Sequence, residues 1–230
     1  MTVQQPPETP KSALVDKALA GGLSSIPLVG GVVGAFYQEY MERPYAKRLE
    51  RWQQELTEVV NELAWKYDTL PDDDVLLDAM INATRVAQAT SQQEKIAALR
   101  NGVVNSVASD APDPDEQARF FRLVDQLSVT HLRMLRVVED PVLSYDTATG
   151  APTPSLSVGG APLLLGDVFV RTIPELAGRK DRRDLLFDDL ASARLVITAA
   201  SVDTVPVNHE NYRMMTDLGR RFLRFIDETG

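Results

Sequence analysis

Between Ala18 and Gln38 the chain carries 21 consecutive residues without a charge, ALAGGLSSIPLVGGVVGAFYQ. A helix needs about 20 predominantly apolar residues to cross a bilayer, so the length fits a membrane span. Five Gly, two Ser and Pro27 dilute the run, which brings it down to borderline hydropathy for a span. Pro27 interrupts a helix and pushes Ile26 towards an extended state. The expectation is two short pieces, about 13–25 and 28–40. Gly30 and Gly34 form a GxxxG pair, Gly22 lies two such steps upstream, and Gly31 with Ala35 repeats the spacing one residue on. Small residues four apart make a flat strip that a second helix can approach closely. Two readings stay open. Gly22, Pro27, Gly30, Gly31, Gly34 and Ala35 form a membrane or oligomer contact, or the same strip packs on the protein's own core.

Residues 42–67 read as one long helix with Pro44 in its first turn. Tyr45, Leu49, Trp52, Leu56, Val59 and Leu63 recur at spacings of 4, 3, 4, 3 and 4. That is an a/d seam over nearly three heptads, flanked by Glu, Arg, Lys and Gln. It fits packing inside one chain or a coiled coil between two chains.

Further helices follow from periodicity and caps. Helix 74–89 buries Val75, Leu76, Ala79, Met80, Ala83, Val86 and Ala87. Ser91 and Glu94 have capping-box spacing before a helix over 92–107. Asp113 and Pro114 fit the cap and first position of a helix over 114–138. His131, inside that helix, reads as a hydrogen-bonded core residue rather than a ligand. Residues 140–162, rich in Pro, Gly, Ser and Thr, read as a long loop. Order resumes at 163–177, as a short helix or strand. A helix over 181–193 follows, with Leu185, Leu186, Leu190 and Ala193 inward. Strands are expected at 194–198 and 202–207. Thr216 then caps a last helix over 217–227.

Composition removes whole classes of chemistry. The chain of 230 residues has no Cys and two His, which excludes disulfides, thiolate metal sites and a Cys nucleophile. No phosphate-binding loop, dinucleotide glycine fingerprint or HExxH pattern is present. His209-Glu210 are neighbours in a turn, where two side chains do not converge easily on one atom. No catalytic residue, metal site or cofactor is therefore expected. The net charge of −9 is uneven. Residues 171–230 hold 10 basic and 10 acidic side chains, so the acidity belongs to the preceding part. A uniformly acidic protein is repelled by phosphates, but this neutral tail is not. Arg182, Arg183, Arg220, Arg221 and Arg224 are its candidate nucleic-acid contacts.

Two resemblances follow from short phrases. A helix ending in Ala193-Arg194-Leu195-Val196, an irregular connection, and Thr216-Asp217-Leu218-Gly219 opening another helix resemble the end of a winged-helix domain, with Thr130–Leu135 in its first helix. The whole layout resembles uncharacterised bacterial proteins of the abortive-infection alpha type. It runs from Ile26-Pro27-Leu28-Val29-Gly30-Gly31, through Thr90 and Glu94-Lys95-Ile96 to Leu99-Arg100-Asn101, then Leu127-Ser128, His131 and Leu135. The expected fold is mainly α, a helical bundle with a small winged-helix-like C-terminal unit carrying a short β-hairpin. The expected divisions are a tail over 1–12, the Gly-rich segment over 13–41, a helical domain over 42–110, and a winged-helix-like domain over 111–230 with loop 140–162 inserted. The resemblance implies a role in phage defence. Together with the uncharged Gly-spaced run, the expectation is a non-enzymatic cytoplasmic effector or adaptor that forms a homo-oligomer and acts on a membrane through that segment. The alternative is a soluble winged-helix regulator binding protein or DNA.

Overall fold

In the computed structural model the described residues are 34–66, 73–150, 157–158, 161–207 and 214–228. They are mainly helical. The chain divides into two compact units, one running to Asp125 and resuming at Phe225, the other spanning Gln126–Arg224. The division thus falls near 125 and again near 224.

The first unit holds α1 (Gly34–Lys66), α2 (Asp73–Ala89), α3 (Gln93–Asn105) and most of α4 (Pro114–Gln126). Helix α1 begins well before residue 42, so Pro44 lies inside it rather than in its first turn. It packs on α2 and α3, which pack on each other. Trp52, Leu56, Val59 and Leu63 are buried there, with Leu76, Met80 and Ala83 of α2 and Leu99 and Val103 of α3. The indole Nε1 of Trp52 donates to Thr84 Oγ1 at 2.9 Å, and Thr84 Oγ1 donates to Met80 O at 2.7 Å. A buried indole N–H needs such a partner. The cap position of α3 is Gln92 rather than Ser91, and Gln92 N donates to Thr90 Oγ1 at 3.1 Å. Asp113 and Pro114 start α4 as expected, with Glu116 N donating to Asp113 Oδ1 at 2.9 Å. Phe225 closes this unit, its ring 5.3 Å from Phe120 and 5.2 Å from Phe121 between centroids. Gly102 makes room for that cluster, since a Cβ there would lie 2.9 Å from the Phe225 ring.

The second unit begins with α5 (Val129–Glu139). The single helix expected over 114–138 is therefore two. Ser128 breaks it by starting a new one: its hydroxyl accepts from His131 N at 3.4 Å, and its own N–H donates to His131 Nδ1 at 3.0 Å. This reciprocal cap satisfies orphan donors at the helix start. Next comes α6 (Pro141–Thr149), where a loop was expected. Asp140 Oδ1 accepts from Leu143 N at 2.9 Å, Pro141 takes the first turn, and Gly150 ends the helix with a positive φ of 72°. Two-residue strands β1 (Ser157–Val158) and β2 (Ala161–Pro162) pair antiparallel. Then follow α7 (Leu165–Thr172), a 3₁₀ turn (Pro174–Leu176) and α8 (Lys180–Ser192). A second 3₁₀ turn (Val202–Thr204) precedes α9 (Asp217–Ile226), whose last residues belong to the first unit.

The hairpin expected between 194–198 and 202–207 is not formed among the described residues. Arg194 adopts the left-handed conformation, with φ 62°. Leu195 N bonds Leu190 O at 3.0 Å and Arg194 N bonds Ala191 O at 2.9 Å. These bonds close α8 with a Schellman cap, a place usually held by Gly. Residues 202–204 coil because Ser201 and Asp184 take their amides, as described below. Extended pairing appears elsewhere. Leu165 N donates to Val205 O at 2.8 Å and Val207 N to Leu163 O at 2.7 Å, while Val196 bridges to Met215. Leu186 and Leu190 face inward as expected, but Leu185 is 61% exposed and Ala193 is only half-buried at the cap.

Candidate functional site

The described residues contain no helix long and apolar enough to cross a membrane. Most of the uncharged run, including Gly22, Pro27, Gly30 and Gly31, lies outside the described residues, as does His209. Gly34 and Ala35 form the first turn of α1. The run and the seam therefore meet on one continuous helix. Of the seam residues, Trp52, Leu56, Val59 and Leu63 are buried within the first unit, and Leu49 is half-buried. Tyr45 lies on the same helix, with its side chain outside the described set. These four seam residues are thus packed inside the chain.

The basic candidates separate sharply. Arg183 is 7% exposed and clamps Asp203. Its Nη2 donates to Asp203 Oδ2 at 2.6 Å and Oδ1 at 2.9 Å, while its Nη1 donates to Leu176 O at 2.9 Å. A planar guanidinium suits this two-point grip. Arg183 is spent on structure and does not face a nucleic acid, which corrects the expectation for it. The grip is tight enough that a Cβ on Gly166 would lie 1.9 Å from Asp203 Oδ1. Arg182 is exposed beside it. On α9, Arg220 and Arg224 are exposed and Arg221 is half-buried. Arg220 pairs with Asp217 and donates to Met215 O at 3.1 Å. That guanidinium holds the Asp217 carboxyl below the usual carboxylate range. Thr216 caps this helix as expected, its Oγ1 accepting from Gly219 N at 3.0 Å.

A second network surrounds Asp184. Its Oδ2 accepts from Lys180 Nζ at 2.7 Å. Its Oδ1 accepts from Val202 N at 3.1 Å and from Ser201 Oγ at 3.0 Å. Partial burial pushes its pKa up, but the hydrogen bonds from Lys180, Val202 N and Ser201 outweigh burial and hold it below the ordinary value. In return, chiefly through its hydrogen bond to Asp184, Lys180 is held above the ordinary lysine value.

His131 is buried, as a hydrogen-bonded core histidine should be. Its Nδ1 accepts from Ser128 N, so in the neutral ring the proton sits on Nε2, 3.3 Å from Asp189 Oδ2. Ser128 Oγ lies 2.8 Å from Nδ1. Serine, histidine and aspartate thus stand in a chain, the order a hydrolase uses. Nδ1 also accepts the backbone bond of the cap that starts α5. Among the described residues no group of three or more His, Asp or Glu has the placement to hold a metal ion.

One cleft in the first unit escaped sequence reasoning. It encloses about 280 Å³ and is lined by Glu62, Arg100, Asn101, Val104, Asn105, Asp227 and Glu228. Arg100 pairs with Glu62 at 2.7 Å and approaches Glu55 at 3.7 Å. Three lining carboxylates against one guanidinium leave it acidic. Only the fold brings these residues together, so spacing carried no signal of it. Trp65, one turn along α1 from Glu62, is 92% exposed.

No known protein family matches this chain, and no curated protein or solved structure is similar to it.

Proposed function

We propose that the protein is a non-enzymatic bacterial defence effector or adaptor of the abortive-infection alpha type. In this reading it assembles into homo-oligomers and acts on the cytoplasmic face of a membrane through residues 18–38. The observation that carries the reading is the continuity of the uncharged run with α1, whose far half is buried in the first unit. A segment anchored in this way has one end fixed in a folded body and the other free of charge. Because Trp52, Leu56, Val59 and Leu63 of the seam are buried within the chain, this reading assigns self-association to the Gly-spaced residues instead. Release of dye from zwitterionic phosphatidylcholine liposomes tests the reading. Wild type releases dye, and Gly30→Leu/Gly34→Leu, which removes the flat strip, releases far less. No leakage from either, or equal leakage from both, overturns it.

A second reading rests on the short extended pairing of 163–165 with 205–207 between helices. It makes the second unit a winged-helix-like module that contacts protein or DNA. Arg182, Arg220 and Arg224 are then the phosphate contacts, without Arg183. Retention on DNA that falls with salt, and is lost in Arg182→Ala/Arg220→Ala/Arg224→Ala, supports this reading. Retention unaffected by those changes refutes it.

A further inference from the structure

Helix α3 carries three buried polar side chains that a helix packed between others does not need for its own stability: Lys95, Asn101 and Asn105. Each is used in the same way. Lys95 Nζ donates to Asp125 O at 2.8 Å. Asn101 Nδ2 donates to Ile226 O at 3.0 Å. Asn105 Nδ2 donates to Phe225 O and to Asp227 O, both at 3.0 Å. All four acceptors are backbone carbonyls at the C-terminal ends of α4 and α9. Those ends have carbonyls without intrahelical partners and a negative dipole pole, so buried donors suit them. Asp125 is also where the chain leaves the first unit, and Phe225 is where it returns.

We infer that α3 is a clamp built to hold both ends of the inserted segment 126–224, using side chains that bind backbone carbonyls there rather than particular side chains. Burial of an amide or ammonium costs free energy unless it is hydrogen-bonded, so these three residues stabilise the fold only while the ends are in place. Opening of the clamp is then a local event, separate from melting of the α1–α2 pair. The clamp is linked to α1 by Arg100, which bonds Glu62. The clamp itself does not depend on what residues 18–38 do.

Hydrogen exchange followed by mass spectrometry on the full chain tests the clamp. In Asn101→Leu/Asn105→Leu, amides at 225–228 exchange about tenfold faster, as expected for lost hydrogen bonds, while amides of α1 and α2 stay within about twofold of wild type. Unchanged exchange at 225–228, or equal acceleration across α1 and α2, overturns the inference. If that variant does not fold, Lys95→Met makes the same comparison at the other end. Amides at 126–131 must then accelerate while those of α1 and α2 do not.

Discussion

The two units are held together by different means. The first relies on long helices with apolar faces, in which Trp52, Leu56, Phe120, Phe121 and Phe225 fill one core. In the second, short helices are joined by side chains that bind backbone or each other: Ser128 with His131, Asp140 with Leu143 N, Asp184 with Val202 N, and Arg183 with Asp203. Periodicity therefore specifies most of the first unit, whose buried polar contacts to backbone gather on α3, while local polar contacts set the helix ends of the second around its own core of Phe169 and Phe187. A lost apolar group costs by volume in one, and a lost charge costs by desolvation in the other.

The sharpest way to break this contrast is to delete the largest buried side chain of the first unit. Trp52→Ala should destabilise that unit by about 3–5 kcal/mol, seen in a denaturant titration that resolves both transitions, and leave the second transition in place. Loss of both transitions together would mean that the units do not melt separately.

Next in size is Asp203→Ala, which leaves Arg183 buried without its carboxylate. We expect about 3 kcal/mol of destabilisation confined to the second unit. Replacing both partners with apolar residues, Arg183→Met/Asp203→Leu, should recover much of that loss. No recovery would assign the cost to packing rather than to an orphaned charge.

Acid should distinguish the units further. The folded-state pKa of Asp184 lies below the ordinary carboxylate value, so its contribution is full above that ordinary value and fades as pH falls through the folded one. Thermal melts between pH 7 and pH 3 should show the second unit weakening through Asp184, with a smaller pH slope in Asp184→Asn. An identical slope in that variant would remove Asp184 from the account.

The smallest expected effect is a gain. Arg194 closes α8 with a positive φ, which costs an L residue about 1 kcal/mol or more. Arg194→Gly should therefore stabilise the second unit by up to about 1 kcal/mol, offset in part by the greater backbone freedom of Gly when unfolded.

These contrasts explain what could be read from the chain. The spacing of Trp52, Leu56, Val59 and Leu63 gave their burial directly, because a helical stripe needs only one partner surface. Thr216 and Asp113 were legible as caps, because the cap bond is local. The break at Ser128 was hidden because its partner in the cap is His131 rather than Glu or Gln. The helix at 141–149 was masked by its Ser and Thr content, although Asp140, Pro141 and Gly150 mark its ends. Strand propensity at 194–207 was overridden by contacts from residues far away in sequence, Asp184 above all. Arg183 looked like a surface cation because nothing nearby in sequence announces Asp203. The cleft beside Arg100 depends on residues 62, 100 and 227 meeting, which no local pattern encodes.

In the proposed function the uncharged segment, which runs into α1, brings this body to a membrane. Flotation of the full chain with zwitterionic phosphatidylcholine liposomes, beside a chain lacking residues 1–33, tests it. The full chain should rise with the lipid while the shortened chain stays at the bottom. Both remaining at the bottom, or both rising together, would contradict it.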